Sequence, residues 1–122
     1  MENNPLSLLK LNSLVRRSIS SCLQDEYWVQ AELSDVRVNY SGHCYLEFVQ
    51  KDATGNALLA KARGIIWANV FTRLRSYFER ETGQAFVSGL KVLVKVTVDF
   101  HELYGYSLTV VNIGPPYHLG DM

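Results

Sequence analysis

Apolar residues recur with two different spacings along this chain. Spacings of three and four positions predict two helices, at 8–24 and 69–79, and Ser7 is well placed as the N-cap of the first. Elsewhere apolar and polar residues alternate with the two-residue period of a β-strand. This alternation predicts five strands, at 27–38, 41–48, 58–67, 87–100 and 106–113.

The predicted order is helix, three strands, helix, two strands. A helix between the third and fourth strands of a five-stranded unit is the signature of the OB-fold, a partly open Greek-key barrel. The sequence therefore predicts a mainly β protein with one OB-fold domain over residues 7–116, which includes the N-terminal helix. We expect residues 1–6 to be disordered and residues 117–122 to begin a linker.

The second and third predicted strands each separate an apolar face from a face of rings and cations. The residues expected to face the core are Cys44, Leu46, Phe48, Ala62, Gly64 and Ile66. The residues expected on the outer surface are His43, Tyr45, Lys61, Arg63 and Trp67. Cationic side chains hold phosphates, and aromatic rings accept stacked bases of any identity, so this surface predicts a site for single-stranded nucleic acid.

Further candidates lie at the loops beside this surface. Arg37 and Tyr40 accompany the loop between the first two strands, and Tyr104 and Tyr106 border the loop between the last two. These loops flank the binding groove of an OB-fold. Tyrosines in turns also serve only to pack the turn, and the sequence leaves both alternatives open.

Charged residues near these candidates add two expectations. Glu32 and Glu47 would repel a phosphate placed beside them, and we expect Glu47 to pair with Arg63 and orient its guanidinium. On the first helix, Arg16 and Arg17 offer an alternative phosphate contact. The simpler expectation is that these two arginines only solvate an exposed helix face.

Composition counts against some classes of nucleic-acid-binding protein. The 122 residues are 48% hydrophobic and 20% charged, as in a soluble globular domain. Twelve basic and twelve acidic side chains cancel, which counts against a double-stranded-DNA or histone-like protein because those carry a basic excess. A local basic groove is compatible with this balance, since recognition depends on where the charges lie.

The sequence shows no residue pattern typical of a catalytic or metal-binding site. The carboxylates are scattered, whereas a metal-dependent nuclease needs a cluster, and the three histidines lack the neighbours of a nucleophile and base. Cys22 and Cys44 have no zinc-site spacing and are expected to be buried free thiols. No signal peptide or transmembrane run is recognisable. We expect a cytoplasmic segment with no catalytic residue, metal, cofactor or membrane partner.

Several short motifs resemble the N-terminal domain of exodeoxyribonuclease VII large subunits, in the order of that family and over essentially the whole chain. They are Leu11-Asn12, Trp28-Val29-Gln30-Ala31-Glu32-Leu33-Ser34, Ser41-Gly42-His43-Cys44-Tyr45-Leu46, Arg63 with Trp67, and the turn from Phe100 to Tyr106. Three positions depart from the family pattern. Ala31 stands where glycine is usual, Cys44 where tryptophan is common, and Ala68 where an arginine often follows the aromatic residue.

The resemblance implies a function for a longer protein. It implies an OB-fold that holds single-stranded DNA and feeds it to a catalytic region outside these residues, which hydrolyses the strand to oligonucleotides. It also implies that this segment is itself non-catalytic. The partners implied are single-stranded DNA and the small subunit of the nuclease, the latter through regions outside this chain.

Two alternatives remain open from the residues alone. An anticodon-type module that reads RNA shares the His-x-Tyr strand pattern seen at His43 and Tyr45. An OB-like protein-interaction module would instead use Tyr45, Ile65 and Trp67 as a dry contact patch.

Overall fold

The computed structural model describes residues 4–114, so the linker predicted from residue 117 lies outside the described residues, as do residues 1–3. All seven predicted elements are present. They are α1 (Leu8–Cys22), β1 (Tyr27–Val38), β2 (Cys44–Lys51), β3 (Leu58–Ile66), α2 (Ala68–Thr82), β4 (Lys91–His101) and β5 (Gly105–Ile113). No helix in this part of the chain is long and apolar enough to cross a membrane.

The five strands close into a barrel in the order β1, β2, β3, β5, β4. β1 is shared between two neighbours, because its first half pairs with β4 and its second half with β2. β3 and β5 run parallel and are joined at Gly64 beside Leu108 and at Ile65 beside Thr109, while the other contacts are antiparallel. This arrangement confirms the predicted mainly β OB-fold, with one helix before β1 and another between β3 and β4.

Alternation along the strands fills the barrel with apolar side chains. Val92, Val94 and Val96 of β4 are at most 1% exposed. Of the residues predicted to face the core from β2 and β3, all are buried except Ala62, which is half-buried. The period of two therefore places the β2 and β3 side chains on the correct faces.

α2 closes one end of the barrel with a cluster of aromatic rings. Phe71, Leu74 and Phe78 are its buried residues. The rings of Phe71 and Phe78 pack against Phe86, with centroids 6.0 and 5.5 Å away. Burying each such side chain contributes about 1.5–3 kcal/mol, so packing against the barrel is the main stabilisation of this helix.

The prediction that the fourth strand begins at residue 87 is wrong. β4 begins at Lys91, and the apolar residues before it belong to a loop that inserts Phe86 into the core. Gly89, with a φ of +94°, donates a hydrogen bond to the Leu33 carbonyl at 2.6 Å, and Leu33 donates to the Leu90 carbonyl at 2.8 Å. The loop is thus fastened to β1, a contact that no local pattern in the sequence reveals.

Gly64 lies where the backbone of β3 closely approaches the Phe48 ring in the core. It pairs with Leu46 across the β2–β3 ladder, and its missing side chain leaves room for the Phe48 ring. A Cβ atom here would lie 3.3 Å from Phe48 Cδ2 and Cζ, and closer still to Cε2. A glycine is therefore required at this position by packing, not by backbone conformation.

We expect Gly64→Ala to lower the free energy of unfolding by about 1–3 kcal/mol, the usual range for overpacking a core. Urea denaturation monitored by circular dichroism would measure this loss. Phe48→Leu provides the control: in the double variant the smaller side chain should offset part of the alanine penalty, giving a favourable coupling energy. Strictly additive losses would show that the Phe48 contact is not the cause.

α1 is attached to the barrel largely through polar contacts with the β4–β5 turn. None of its residues is buried. The Asn12 amide donates to the Glu102 carbonyl at 2.9 Å, and the Glu102 carboxylate accepts from Ser13 Oγ at 3.1 Å and Arg16 Nε at 2.7 Å. Arg16 is therefore paired with Glu102 within the fold. This pairing favours a structural role for Arg16 over the alternative of a phosphate contact.

Glu102 makes the attachment of α1 dependent on pH. The hydrogen bond from Arg16, together with those from its own backbone and from Ser13, lowers the pKa of Glu102 from 4.5 to about 2. A carboxylate with a depressed pKa in the folded state stabilises fully above its unfolded pKa, and this contribution is lost as the pH falls toward the folded value.

The free energy of unfolding of Glu102→Gln should accordingly lie below that of the wild type at neutral pH. The difference should shrink between about pH 4.5 and pH 2 and vanish below this window. Urea titrations across this range would measure it. Glu81→Gln is a matched control, because its pair with Arg80 is long, at 3.7 Å, and exposed. A difference that is constant with pH would contradict the assigned role of Glu102.

The two cysteines have different environments, and both are free thiols. Cys44 is buried as predicted, but the prediction that Cys22 is buried is wrong, because α1 lies on the surface and leaves it exposed. Burial raises the pKa of Cys44 to about 11, against the opposing effect of the nearby Arg75 charge. The thiolate is the reactive form. Cys44 is therefore unreactive for two reasons: reagents cannot reach it, and its thiol stays protonated at neutral pH.

One thiol per chain should therefore react rapidly with a disulfide reagent under native conditions, and the second only after unfolding. Absorbance at neutral pH, with and without denaturant, measures both equivalents. Cys22→Ser should abolish the rapid phase. Two rapid equivalents in the native protein, or a rapid phase that survives in this variant, would be incompatible with the buried position of Cys44.

Candidate nucleic-acid interface

The predicted rings and cations of β2 and β3 lie on one outer surface of the barrel. Cross-strand pairing sets Tyr45 opposite Ile65 and Glu47 opposite Arg63, and partners in a ladder point to the same side of a sheet. Trp67 follows Ile65 by two residues and is 47% exposed, and Tyr45 is 39% exposed. We call this surface the β2–β3 face and define it by His43, Tyr45, Lys61, Arg63 and Trp67.

His43 lies at the end of the β2–β3 face next to the start of α2 and holds this end in position. Its Nδ1 accepts a hydrogen bond from the Ala68 N–H at 3.0 Å, which caps the start of α2 in place of the N-cap residue Trp67, whose side chain makes no capping bond. The His43 ring meets Trp67 edge-on, with centroids 5.0 Å apart and planes at 87°. His43 therefore holds the indole in place while leaving about half of it exposed.

The tight turn between β1 and β2 places His43 next to the start of α2. Gly42 adopts a φ of +91°, which side chains of L-residues rarely allow. Asn39 Oδ1 accepts hydrogen bonds from the N–H groups of Ser41 and His43, each at 3.0 Å. The Ser-Gly-His motif thus forms a rigid reversal that delivers His43 to the α2 terminus.

Arg63 bridges the opening between β3 and β5. These strands are paired only at residues 64–65 and 108–109 and separate toward the start of β5. Arg63 Nη2 donates across the gap to the Tyr104 carbonyl and, at 3.3 Å, to the Tyr106 carbonyl. A guanidinium has five N–H donors, so Nε and Nη1 of this exposed residue remain suited to a phosphate.

The expected pairing of Glu47 with Arg63 is wrong. Although the two residues are opposite in the ladder, Glu47 accepts from Ser34 Oγ at 2.7 Å and pairs with Lys61 Nζ at 3.7 Å, while Arg63 turns toward the β4–β5 loop. Ser34 reaches Glu47 because the register of β1 shifts between Leu33 and Asp35. A local irregularity in β1 therefore accompanies a change of partner on the next strand.

Exposed ion pairs accompany two of the cations without excluding a ligand. Lys61 pairs with Glu47, and Arg37 Nε pairs with Asp35 at 2.9 Å, with the Arg37 side chain 75% exposed. Pairs of this kind contribute about 0–1 kcal/mol. A phosphate can therefore replace or share the carboxylate partner with little loss of folding energy.

The loop candidates take different positions. Arg37 lies within β1, opposite Tyr45, so it adjoins the β2–β3 face directly and is not in the loop. Tyr40 is fully exposed at the β1–β2 turn. Tyr104 is 65% exposed in the β4–β5 loop, its ring 4.8 Å from that of His101. The turn-packing alternative therefore has some support for Tyr104, through its ring contact, and little for the fully exposed Tyr40.

Three further exposed or half-buried residues lie near this surface or on the opposite side of the barrel. Tyr106 supplies a carbonyl to Arg63 and is 46% exposed, and Ile65 lies between Arg63 and Trp67. Trp28 is 49% exposed but belongs to the β1–β4 side, where Lys95 Nζ lies 5.8 Å from its ring. The sequence named Ile65 and Tyr106 as candidates but gave no role to Trp28, and the contact of the Tyr106 carbonyl with Arg63 is recognisable only from the barrel closure.

The candidate site contains no assembled metal-binding group. Within residues 4–114, no three side chains of histidine, cysteine, aspartate or glutamate cluster closely enough to hold a metal ion. Glu32, the other acidic residue considered near the site, is paired with Lys51 at 3.2 Å. The arrangement is therefore one of stacking rings and phosphate donors, and the non-catalytic character of the segment stays a prediction.

Fold and surface together define an OB-fold domain that binds nucleic acid. The chain belongs to the family described as OB-fold nucleic acid binding domain, whose model matches residues 6–114. It is also 37% identical, over 120 residues, to the exodeoxyribonuclease 7 large subunit of Deinococcus radiodurans. This similarity covers 95% of the chain but 28% of the relative, so the chain spans little more than a quarter of that protein. The resemblance noted from the motifs is confirmed.

Proposed function

We infer that this chain is the single-stranded-DNA-binding domain of an exodeoxyribonuclease VII large subunit. The observation that carries this conclusion is the exposure of Arg63 and Trp67 on the same outer face of an OB-fold barrel. The similarity to the Deinococcus radiodurans large subunit supports the assignment to a nuclease. The family supports nucleic acid as the ligand, and the exposed rings favour a single strand, whose bases are free to stack.

The site residues have complementary roles in this function. Arg63, Lys61 and Arg37 bind phosphates, while Trp67 and Tyr45 stack on bases, each stacked base contributing about 1–3 kcal/mol. His43 positions Trp67 through its edge contact. Tyr40 in the β1–β2 loop and Tyr104 in the β4–β5 loop flank the path of the DNA strand. None of these contacts reads a base edge, so binding has little sequence preference.

The rest of the activity belongs to regions outside this chain. The domain holds the strand, and a catalytic region elsewhere in the full-length subunit hydrolyses it to oligonucleotides. The nuclease small subunit binds the longer protein outside these residues. Two free cysteines suit the reducing cytoplasm.

The double variant Arg63→Ala/Trp67→Ala tests the proposed site. Loss of one stacked base alone should weaken binding of a labelled single-stranded oligonucleotide by about 5- to 150-fold, the equivalent of about 1–3 kcal/mol. Loss of the guanidinium should also reduce the dependence of binding on salt concentration. Fluorescence anisotropy at two salt concentrations measures both effects.

Two controls make this test specific. Trp28→Ala removes a comparably exposed indole from the β1–β4 side and should leave affinity unchanged. Trp67→Ala alone separates stacking from the structural role of Arg63, and thermal unfolding verifies that each variant is folded. Equal affinity of the double variant and the wild type would refute the site assignment.

Competition binding and sedimentation distinguish the proposed function from the two alternatives. RNA that outcompetes DNA of the same sequence would favour an RNA-reading module over the proposed function. The exposure of Tyr45 and Trp67 on either side of Ile65 is also compatible with a protein contact. Salt-insensitive self-association in sedimentation, without binding to oligonucleotides, would establish that function instead.

A further inference from the structure

A second basic surface lies beside the β2–β3 face, in a groove between α2 and the end of β5. The groove encloses about 500 Å³. Its described lining consists of Arg73, Leu74, Ser76, Tyr77, Arg80, Asn112 and Ile113. These residues include two guanidinium groups and no carboxylate. The groove is therefore positively charged, although the chain as a whole is neutral.

The spacing of residues along α2 builds this charge on one side of the helix. Arg73 and Arg80 are separated by about two helical turns, and Tyr77 lies between them at positions that share the same face. Both arginines are exposed, and Tyr77 is half-buried. The Arg80 guanidinium carbon lies over the Tyr77 ring, 6.0 Å from its centre, in a cation–π contact that helps to position the cation.

Neighbouring polar groups leave these side chains available to a ligand. Glu81 is 3.7 Å from Arg80, in a pair whose side chains are 69% and 47% exposed, so it competes weakly with a phosphate. On β5, Asn112 Oδ1 accepts from the Ile113 N–H at 2.9 Å. The Asn112 amide group remains a donor at the rim of the groove.

The groove adjoins the β2–β3 face through α2. This helix begins at Ala68, directly after Trp67, and its Arg73 and Arg80 line the groove together with Asn112 of β5. β5 in turn pairs with β3, one of the two strands of the face. The direction from the Trp67 ring along α2 therefore leads toward the groove.

We propose that the groove between α2 and β5 is a second binding site for single-stranded DNA, in which Arg73 and Arg80 bind the phosphates of nucleotides that extend beyond Trp67. The Asn112 amide donates to the same backbone. This site extends the proposed function and rests on it. It predicts a length dependence, because short oligonucleotides fill the β2–β3 face and longer ones also reach α2.

The double variant Arg73→Ala/Arg80→Ala tests this site with oligothymidylates of two lengths: about 5 nucleotides, near the lower end of the usual site size of an OB-fold, and about 20, beyond its upper end. The short oligonucleotide should bind the variant and the wild type equally. The long one should bind the variant at least fivefold more weakly. The slope of log affinity against log salt should fall by about 1.4 for the long one, or about 0.7 for each phosphate that the variant no longer neutralises.

A matched control removes two charges elsewhere. Lys10→Ala/Lys91→Ala takes one exposed cation from α1 and one from β4, neither of them at the proposed sites, and should leave both affinities unchanged. Thermal unfolding of the four proteins, including Trp67→Ala, establishes that each is folded.

The possible outcomes distinguish the groove from the β2–β3 face. Wild-type affinity of the groove variant for the long oligonucleotide would overturn the second site, while a loss in Trp67→Ala would still sustain the proposed function. An equal loss for both lengths, or the same loss in the Lys10→Ala/Lys91→Ala control, would also overturn it, because the effect would then be one of general charge. Failure of the wild type to bind either length would refute the proposed function itself.

Discussion

The closure of the barrel between β3 and β5 is the constraint on which the rest of the structure depends. Two residue pairs join these strands, and Arg63 spans the adjoining gap through the carbonyls of Tyr104 and Tyr106. Closure fixes the tilt and curvature of all five strands. It therefore sets the curvature of the β2–β3 face and shapes the rim that α2 covers.

Arg63 and His43 each have a structural role in addition to the binding role proposed for them. The planar guanidinium of Arg63 presents donors in more than one direction, so it joins the two strands and still faces solvent. His43 caps α2 with one ring nitrogen and supports Trp67 with its edge. Because the cap and the indole support belong to one side chain, the β2–β3 face and α2 form a single junction.

Much of the fold and part of the site follow from patterns within a few residues. Alternation identifies Cys44, Leu46 and Phe48 as inward-facing and Tyr45 as outward-facing, because a strand has no other way to divide its side chains. Apolar spacing locates both helices. The same local reasoning fails at residues 87–90, which were predicted to begin the fourth strand but form a loop that is hydrogen-bonded to Leu33. It fails at Cys22 because amphipathic spacing does not show how closely α1 approaches the barrel.

The sequence by itself therefore determined the element order, the OB-fold and the side of the sheet on which Arg63 and Trp67 lie. The tertiary structure alone decided the partners: Lys61 rather than Arg63 for Glu47, Ala68 for His43, and Asn112 across the groove from α2. The physical reason is distance along the chain. A side chain's direction depends on backbone geometry over two or three residues, whereas its partner depends on register, bulges and closure between segments far apart in sequence.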